Sequence, residues 1–183
     1  PSEEEKKQNG EVSTFVCVVN NMLNKMPILT WNTIHKILEP CCGKGNFVLG
    51  IFDKYYHGLG NITNKAERCK IIIEKCLYFG DISALNVTIT KALLITHAEK
   101  FCGVAQDYKM NTFVGDTLEL DIKSKWTIDK FHAVIGNPPY STDPSKPNSK
   151  PLYNLFTEKF IDKCKYMLYV VPSRWFVGGK GLN

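Results

Sequence analysis

Apolar residues in this chain fall into two alternating patterns. Short runs rich in Val, Ile, Phe and Tyr end abruptly at Gly, Pro, Asn or an acid, and between them apolar positions recur every three to four residues. The short runs predict five strands: Lys36 to Glu39, Leu77 to Ile82, Asn111 to Gly115, Phe131 to Ile135, and Tyr166 to Val171. The longer periodic stretches predict helices from Ser13 to Met26, Asn46 to His57, Lys65 to Cys76, Ala84 to Phe101, and Leu152 to Cys164. Ser13 or Thr14 is placed to cap the first helix. A leading helix and five strands alternating with helices predict an α/β fold with a doubly wound, mostly parallel sheet joined by right-handed crossovers.

Composition narrows the class. A chain of 183 residues with 44% hydrophobic content can bury the core of one domain. Pro1 to Gly10 is charged and polar, so residues 1–12 read as a flexible N-terminus and 13–183 as the folded unit. No apolar run has the length of a bilayer span, and no secretory signal opens the chain, which predicts no membrane partner. The net charge of +5 is compatible with a phosphate-rich partner. The cations are nearly all Lys, with Arg68 and Arg174 the only arginines, so the chain is poorly equipped to read guanine by itself. The seven cysteines include no Cys-x-x-Cys pair. That predicts no metal site, and free thiols in a reducing, cytoplasmic compartment, a viral or nucleoid-associated setting included.

The chemistry concentrates where predicted strands end. After Phe131 to Ile135 comes Gly136-Asn137-Pro138-Pro139-Tyr140. Each residue that precedes a proline is pushed towards extended backbone, and Pro138 and Pro139 carry no N–H. The turn therefore offers acceptors, the Asn137 side-chain oxygen and the Pro138 carbonyl, beside the aromatic plate of Tyr140. Two acceptors and a plate suit a flat molecule with an exocyclic amino group, such as adenine. A chance match to Asn-Pro-Pro-Tyr in a chain this long is on the order of one in a thousand.

The first strand runs into Glu39-Pro40-Cys41-Cys42-Gly43-Lys44-Gly45-Asn46-Phe47 and then a helix, which is the opening of a nucleotide-binding α/β unit. Gly43 and Gly45 let the backbone approach a ligand, although the third glycine of the dinucleotide fingerprint is missing. The second strand ends in Asp81-Ile82, where an acid can accept both ribose hydroxyls and Ile82 can pack on an adenine face. The third strand ends in Asp116-Thr117.

Asn137-Pro138-Pro139-Tyr140 resembles the catalytic motif of amino-group methyltransferases that use S-adenosylmethionine. Glu39-Pro40-x-x-Gly43-x-Gly45-x-Phe47 is similar to the cofactor loop of the adenine-N6 DNA methyltransferases of restriction-modification type, and Pro172-Ser173-Arg174-Trp175 also resembles them. The resemblance covers nearly the whole chain. It implies a Rossmann-like methyltransferase fold and transfer of a methyl group from S-adenosylmethionine to N6 of an adenine flipped out of DNA. Asn137, Pro138, Pro139 and Tyr140 would be catalytic. Thr14, Glu39, Pro40, Cys41, Gly43, Gly45, Asp81, Ile82, Asp116, Thr117 and Asn137 would bind the cofactor.

Within that set, Glu39 is the candidate for the cofactor's amino group and Asp116 for the amino group of its adenine. Tyr140, Lys146, Arg174 and Trp175 would meet nucleic acid, Tyr140 by stacking and Lys146 and Arg174 at phosphates. Three features depart from the family pattern. Thr14 is followed by Phe15 where a Thr-Pro is usual, Ser83 stands where relatives often carry a second acid, and the chain stops just after its fifth strand. The missing C-terminal strands and target-recognition domain imply a separate recognition domain or subunit. The motif alone also admits RNA or protein-glutamine substrates, and the short C-terminus admits an inactive structural subunit.

Overall fold

Strand residues alternate between the two faces of one sheet, and the core is split accordingly. In the computed structural model, which describes residues 14–140 and 151–173, the strands are β1 (Ile37–Glu39), β2 (Leu77–Asp81), β3 (Asn111–Val114), β4 (Phe131–Gly136) and β5 (Cys164–Tyr169). Ile37, Leu77, Phe79, Ala133 and Ile135 pack on one side. Leu38, Tyr78, Phe113 and Val134 pack on the other. The helices are α1 (Val16–Leu23), α2 (Asn46–Gly58), α3 (Lys65–Ile71), α4 (Ala84–Cys102), α5 (Ile122–Trp126) and α6 (Tyr153–Phe160). Residues from α1 to α4 enter the first core, whereas Ile122 of α5 and Phe160 of α6 enter the second. None of the helices among the described residues is long and apolar enough to cross a membrane.

The strand order is β3-β2-β1-β4-β5, and every pairing is parallel. This is the doubly wound sheet that the alternating pattern predicts. The chain reverses its direction of travel across the sheet between β1 and β4. Ligands of open α/β sheets bind at such a reversal, beyond the C-terminal ends of the strands. Glu39 ends β1 and Gly136 ends β4, so the two motifs singled out in the sequence meet at this point.

Several boundaries differ from the sequence reading, each for a local reason. The N-cap of α1 is Phe15, with no side-chain cap; the Thr14 side chain is engaged elsewhere, and Ser13 lies outside the described residues. The helix expected to Cys76 changes to a π-helical turn at Ile72–Cys76. The wider turn buries Ile72, Ile73 and Cys76 together before β2 begins. At the other end of the chain, α6 stops at Phe160 and a 3-10 turn, Ile161–Lys163, leads into β5. β5 starts two residues earlier than expected because its start is set by pairing, Cys164 against Phe131, rather than by apolar content. The short α5 was not signalled by periodicity. Its N-cap is Asp121, whose carboxylate accepts from the Lys123 and Ser124 amides.

Candidate active site

The loop after β1 is shaped by two glycines and by bonds to its neighbours. Gly43 and Gly45 have φ of 49° and 89°, the left-handed region that a side chain disfavours. At Gly45 there is a second constraint, since an added Cβ would sit 2.9 Å from Cγ2 of Thr90 on α4. The Thr90 hydroxyl donates to the Gly43 carbonyl at 3.0 Å, and the Cys42 amide donates to the Gly80 carbonyl at 2.8 Å. From the 3-10 turn after β3, the Thr117 hydroxyl donates to the Pro40 carbonyl. The loop is thereby fixed to the ends of β2 and β3 before any ligand arrives.

Asp81 does the same from the end of β2. Its Oδ2 accepts from the Gly43 amide at 2.9 Å, and its Oδ1 accepts from the Ser83 amide at 2.9 Å and from Asn86 Nδ2 at 3.3 Å. A carboxylate offers about four lone-pair sites. Three protein donors occupy most of that capacity. Asp116 is exposed, and its Oδ1 caps a 3-10 turn by accepting from the Leu118 amide at 2.8 Å. Lys159 of α6 donates to the Leu118 carbonyl at 2.6 Å, which braces this wall from outside.

Glu39 lies beneath the loop rather than in it. It is 2% exposed, and its Oε1 accepts from the Cys41 amide at 3.1 Å and from the Cys41 thiol at 3.5 Å. Burial pushes its pKa up to about 8; the Cys41 bonds lower it and the nearby Asp81 charge raises it. Burial thus favours the protonated, neutral form of this carboxyl group. An added Cβ on Gly136 would run into this carboxyl group, so Gly136 is the residue that lets β4 pass over Glu39. Among the described residues, Glu39 Oε2 and the Tyr169 hydroxyl meet no hydrogen-bond partner. Burial, and then Cys41 and Glu39, push the Tyr169 phenol well above its usual range.

A cleft of about 220 Å³ opens above this floor. From the β1 side Pro40, Cys41 and Gly43 line it. Asp81 and Ile82 line it from β2, and Asp116 and Thr117 from β3. Asn137, Pro138, Pro139 and Tyr140 line it beyond β4, and Thr14 closes it from the segment before α1. Of the residues singled out in the sequence, Glu39 and Gly45 do not line the cleft; they support it. Lys146, Arg174 and Trp175 lie outside the described residues.

The sequence reading missed Leu152 and Phe156, which also line the cleft. Its helical spacing marks Phe156 as a core residue, and it is 5% exposed. Only the fold reveals that it faces a ligand-sized space. The Tyr140 ring meets Tyr153 of α6 edge-on at 6.4 Å, and the Leu152 amide donates to the Tyr140 carbonyl at 3.2 Å. Asn137 Nδ2 donates to Thr14 Oγ1 at 3.1 Å. No cluster of three or more metal-ligating side chains occurs among the described residues.

The donor set fits S-adenosylmethionine. The cleft combines a glycine loop at a helix start, acids at the ends of two neighbouring strands, and apolar surface from Ile82, Leu118 and Phe156. Its glycine loop lacks the third glycine of a pyrophosphate loop.

Solved structures share this fold. The DrdV–DNA complex superposes over 99% of the chain with a TM-score of 0.73 and 14% identity, and the chain covers 22% of it. The M protein of the type I restriction enzyme EcoKI superposes over 97% with a TM-score of 0.66 and 15% identity, and 37% of it is covered. TrmN from Thermus thermophilus superposes over 92% with a TM-score of 0.51 and 12% identity, and 42% of it is covered. The chain thus spans less than half the length of each. At these identities the likeness establishes the methyltransferase fold. A comparison with curated proteins finds no match. The model of one family, the Eco57I restriction-modification methylases, matches residues 75–183, more than half of the chain and the whole of the Asn137–Tyr140 turn. On this match the chain belongs to the Eco57I restriction-modification methylase family.

Proposed function

We propose that this chain is the catalytic core of a DNA methyltransferase that uses S-adenosylmethionine and acts on the N6 amino group of adenine. The observation that carries the reading is one cleft, at the sheet's reversal point, lined by the glycine loop, Asp81, Asp116 and Asn137-Pro138-Pro139-Tyr140. S-adenosylmethionine supplies, when bound, an electrophilic methyl group on a sulfonium centre. Gly43 and the start of α2 would hold its methionine end, Asp81 one ribose hydroxyl, and Asp116 the amino group of its adenine, with Ile82 and Phe156 against the ring.

The target amino nitrogen is a poor nucleophile because its lone pair is delocalised into the base. Asn137 Oδ1 and the Pro138 carbonyl accept its two N–H bonds and favour a more pyramidal nitrogen. These are fixed dipoles and positioning, with no covalent enzyme intermediate. The methylated amino cation is strongly acidic and loses its proton after transfer. In duplex DNA the base must be extruded, and stacking on Tyr140 offsets roughly 1–3 kcal/mol of that cost. Lys146 and Arg174 would meet phosphates and Trp175 the target base.

Support for DNA as substrate comes from the family and from the DrdV structure, which is a DNA complex. The EcoKI M protein is one component of a larger restriction enzyme. By analogy, target recognition would come from a further domain or a partner subunit.

The test is incubation of the full chain with tritium-labelled S-adenosylmethionine and, separately, unmethylated DNA, RNA and protein. Label recovered from DNA as N6-methyladenine supports the reading. Label only in RNA or protein overturns the substrate. A chain that binds no S-adenosylmethionine overturns the whole assignment and leaves a structural subunit.

A further inference from the structure

The segment before α1 touches the proposed catalytic turn through one side chain. Thr14 Oγ1 accepts from Asn137 Nδ2 at 3.1 Å, across 123 residues of sequence. The same residue's carbonyl accepts from Asn46 Nδ2 at 2.7 Å, and Asn46 is the first residue of α2, directly after the glycine loop. Thr14, Asn46 and Asn137 all line the cleft. Asn46, the carbonyl and hydroxyl of Thr14, and Asn137 therefore form a short relay from the cofactor loop, through Thr14, to the turn after β4.

The relay matters because an asparagine side chain has two nearly isosteric ends with opposite chemistry. Presented with its oxygen, Asn137 accepts from a substrate amino group; presented with its NH2, it sets donor against donor. With Nδ2 donating to Thr14 Oγ1, the nitrogen branch of the planar amide lies towards Thr14 and the oxygen branch on the other side. The backbone carbonyl of Thr14 is itself held by Asn46. This also explains why the Thr14 side chain does not cap α1, whose N-cap is Phe15.

We propose that Thr14 is a positioning residue for Asn137, its hydroxyl holding the catalytic amide in the orientation that presents Oδ1 to the substrate's amino group. This rests on the methyltransferase reading above and is distinct from a role for Thr14 in holding the cofactor. The consequence is a separation of effects. Loss of a contact to the cofactor would weaken its binding. Loss of the hydroxyl would leave cofactor affinity in place and slow transfer, on the order of ten- to a hundredfold for a misoriented acceptor.

The test uses the full chain as wild type, Thr14→Val and Thr14→Ser. Thr14→Val keeps the shape and removes the acceptor, whereas Thr14→Ser keeps the hydroxyl. The first readout needs no activity. In 15N-labelled protein, the Asn137 side-chain amide, assigned by its disappearance in Asn137→Asp, shifts upfield in Thr14→Val and stays in place in Thr14→Ser. The second readout is kinetic, with unmethylated DNA: kcat falls in Thr14→Val, S-adenosylmethionine affinity by calorimetry is unchanged, and Thr14→Ser restores the rate. An Asn137 amide signal indifferent to Thr14→Val overturns the proposal, as does a rate loss matched by an equal loss of cofactor affinity. A wild-type chain that shows the amide signature yet transfers no methyl group to any substrate would sink the functional reading and leave the Thr14–Asn137 bond standing.

Discussion

Glu39 makes the stability of this domain depend on pH in a way that can be calculated. Its carboxyl group has an ordinary pKa of 4.5 and a folded-state value of about 8, mainly through burial. The sign follows from linkage. Below pH 4.5 the group is protonated in both states and contributes no difference. Between 4.5 and about 8 the unfolded chain ionises while the folded chain does not, so stability falls as pH rises. Above about 8 both states are ionised and the loss levels off. At 1.36 kcal/mol for each pH unit, the span amounts to roughly 5 kcal/mol, a large share of the ~5–15 kcal/mol that stabilises an ordinary domain.

Glu39→Gln isolates this effect. The amide oxygen can still accept from the Cys41 amide, the shape against Gly136 is kept, and nothing remains to ionise. Urea unfolding of both proteins from pH 5 to pH 9 gives the comparison. The wild type should lose several kcal/mol relative to Glu39→Gln across this range, most of it before pH 8. Parallel curves would refute the account of Glu39 as a neutral acid beneath the loop.

Three substitutions test the rest of the site. Asp81→Ala removes an acceptor shared by Gly43, Ser83 and Asn86, and S-adenosylmethionine should bind roughly ten- to a hundredfold more weakly, as measured by calorimetry; unchanged affinity would leave Asp81 as a structural clamp only. Gly136→Ala drives a methyl group into the Glu39 carboxyl group and should cost about 1–3 kcal/mol in chemical denaturation. A Gly136→Ala chain as stable as wild type would mean that β4 has room to move. Asn137→Ala should abolish methyl transfer while cofactor binding largely survives, and near-normal turnover would remove Asn137 from the chemistry.

How far the sequence revealed this site varied with the kind of information needed. β4 and its turn were legible because a short apolar run closed by Gly, Asn and two prolines has few other readings. The β1 loop was legible because acid, glycines and helix start follow one another directly. Strand order was not written in any one segment, yet the alternation of strands and helices sufficed for the doubly wound sheet. What failed were properties that arise only between segments. Glu39 reads as a polar strand end, and its burial under Gly136 depends on how β1 and β4 lie side by side. Phe156 has the spacing of a core residue, and nothing local distinguishes a ring facing helices from one facing a cleft. Asp81 reads as a free acid, while its engagement by Gly43 spans 38 positions of the chain. Thr14 was singled out through resemblance, but its bond to Asn137 spans 123 positions of the sequence.

The central claim is geometric, that the acceptor turn after β4 faces the methyl group of a cofactor seated on the glycine loop. The position of that methyl carbon in a crystal structure of the full chain with S-adenosylmethionine measures it. The account predicts the methionine end at Gly43, the adenine at Asp116, and the methyl carbon opening onto the space in front of Asn137 Oδ1 and the Pro138 carbonyl, leaving the roughly 3–3.5 Å that an attacking nitrogen requires. Cofactor bound elsewhere, or seated on the loop with its methyl group directed away from Asn137, would contradict it.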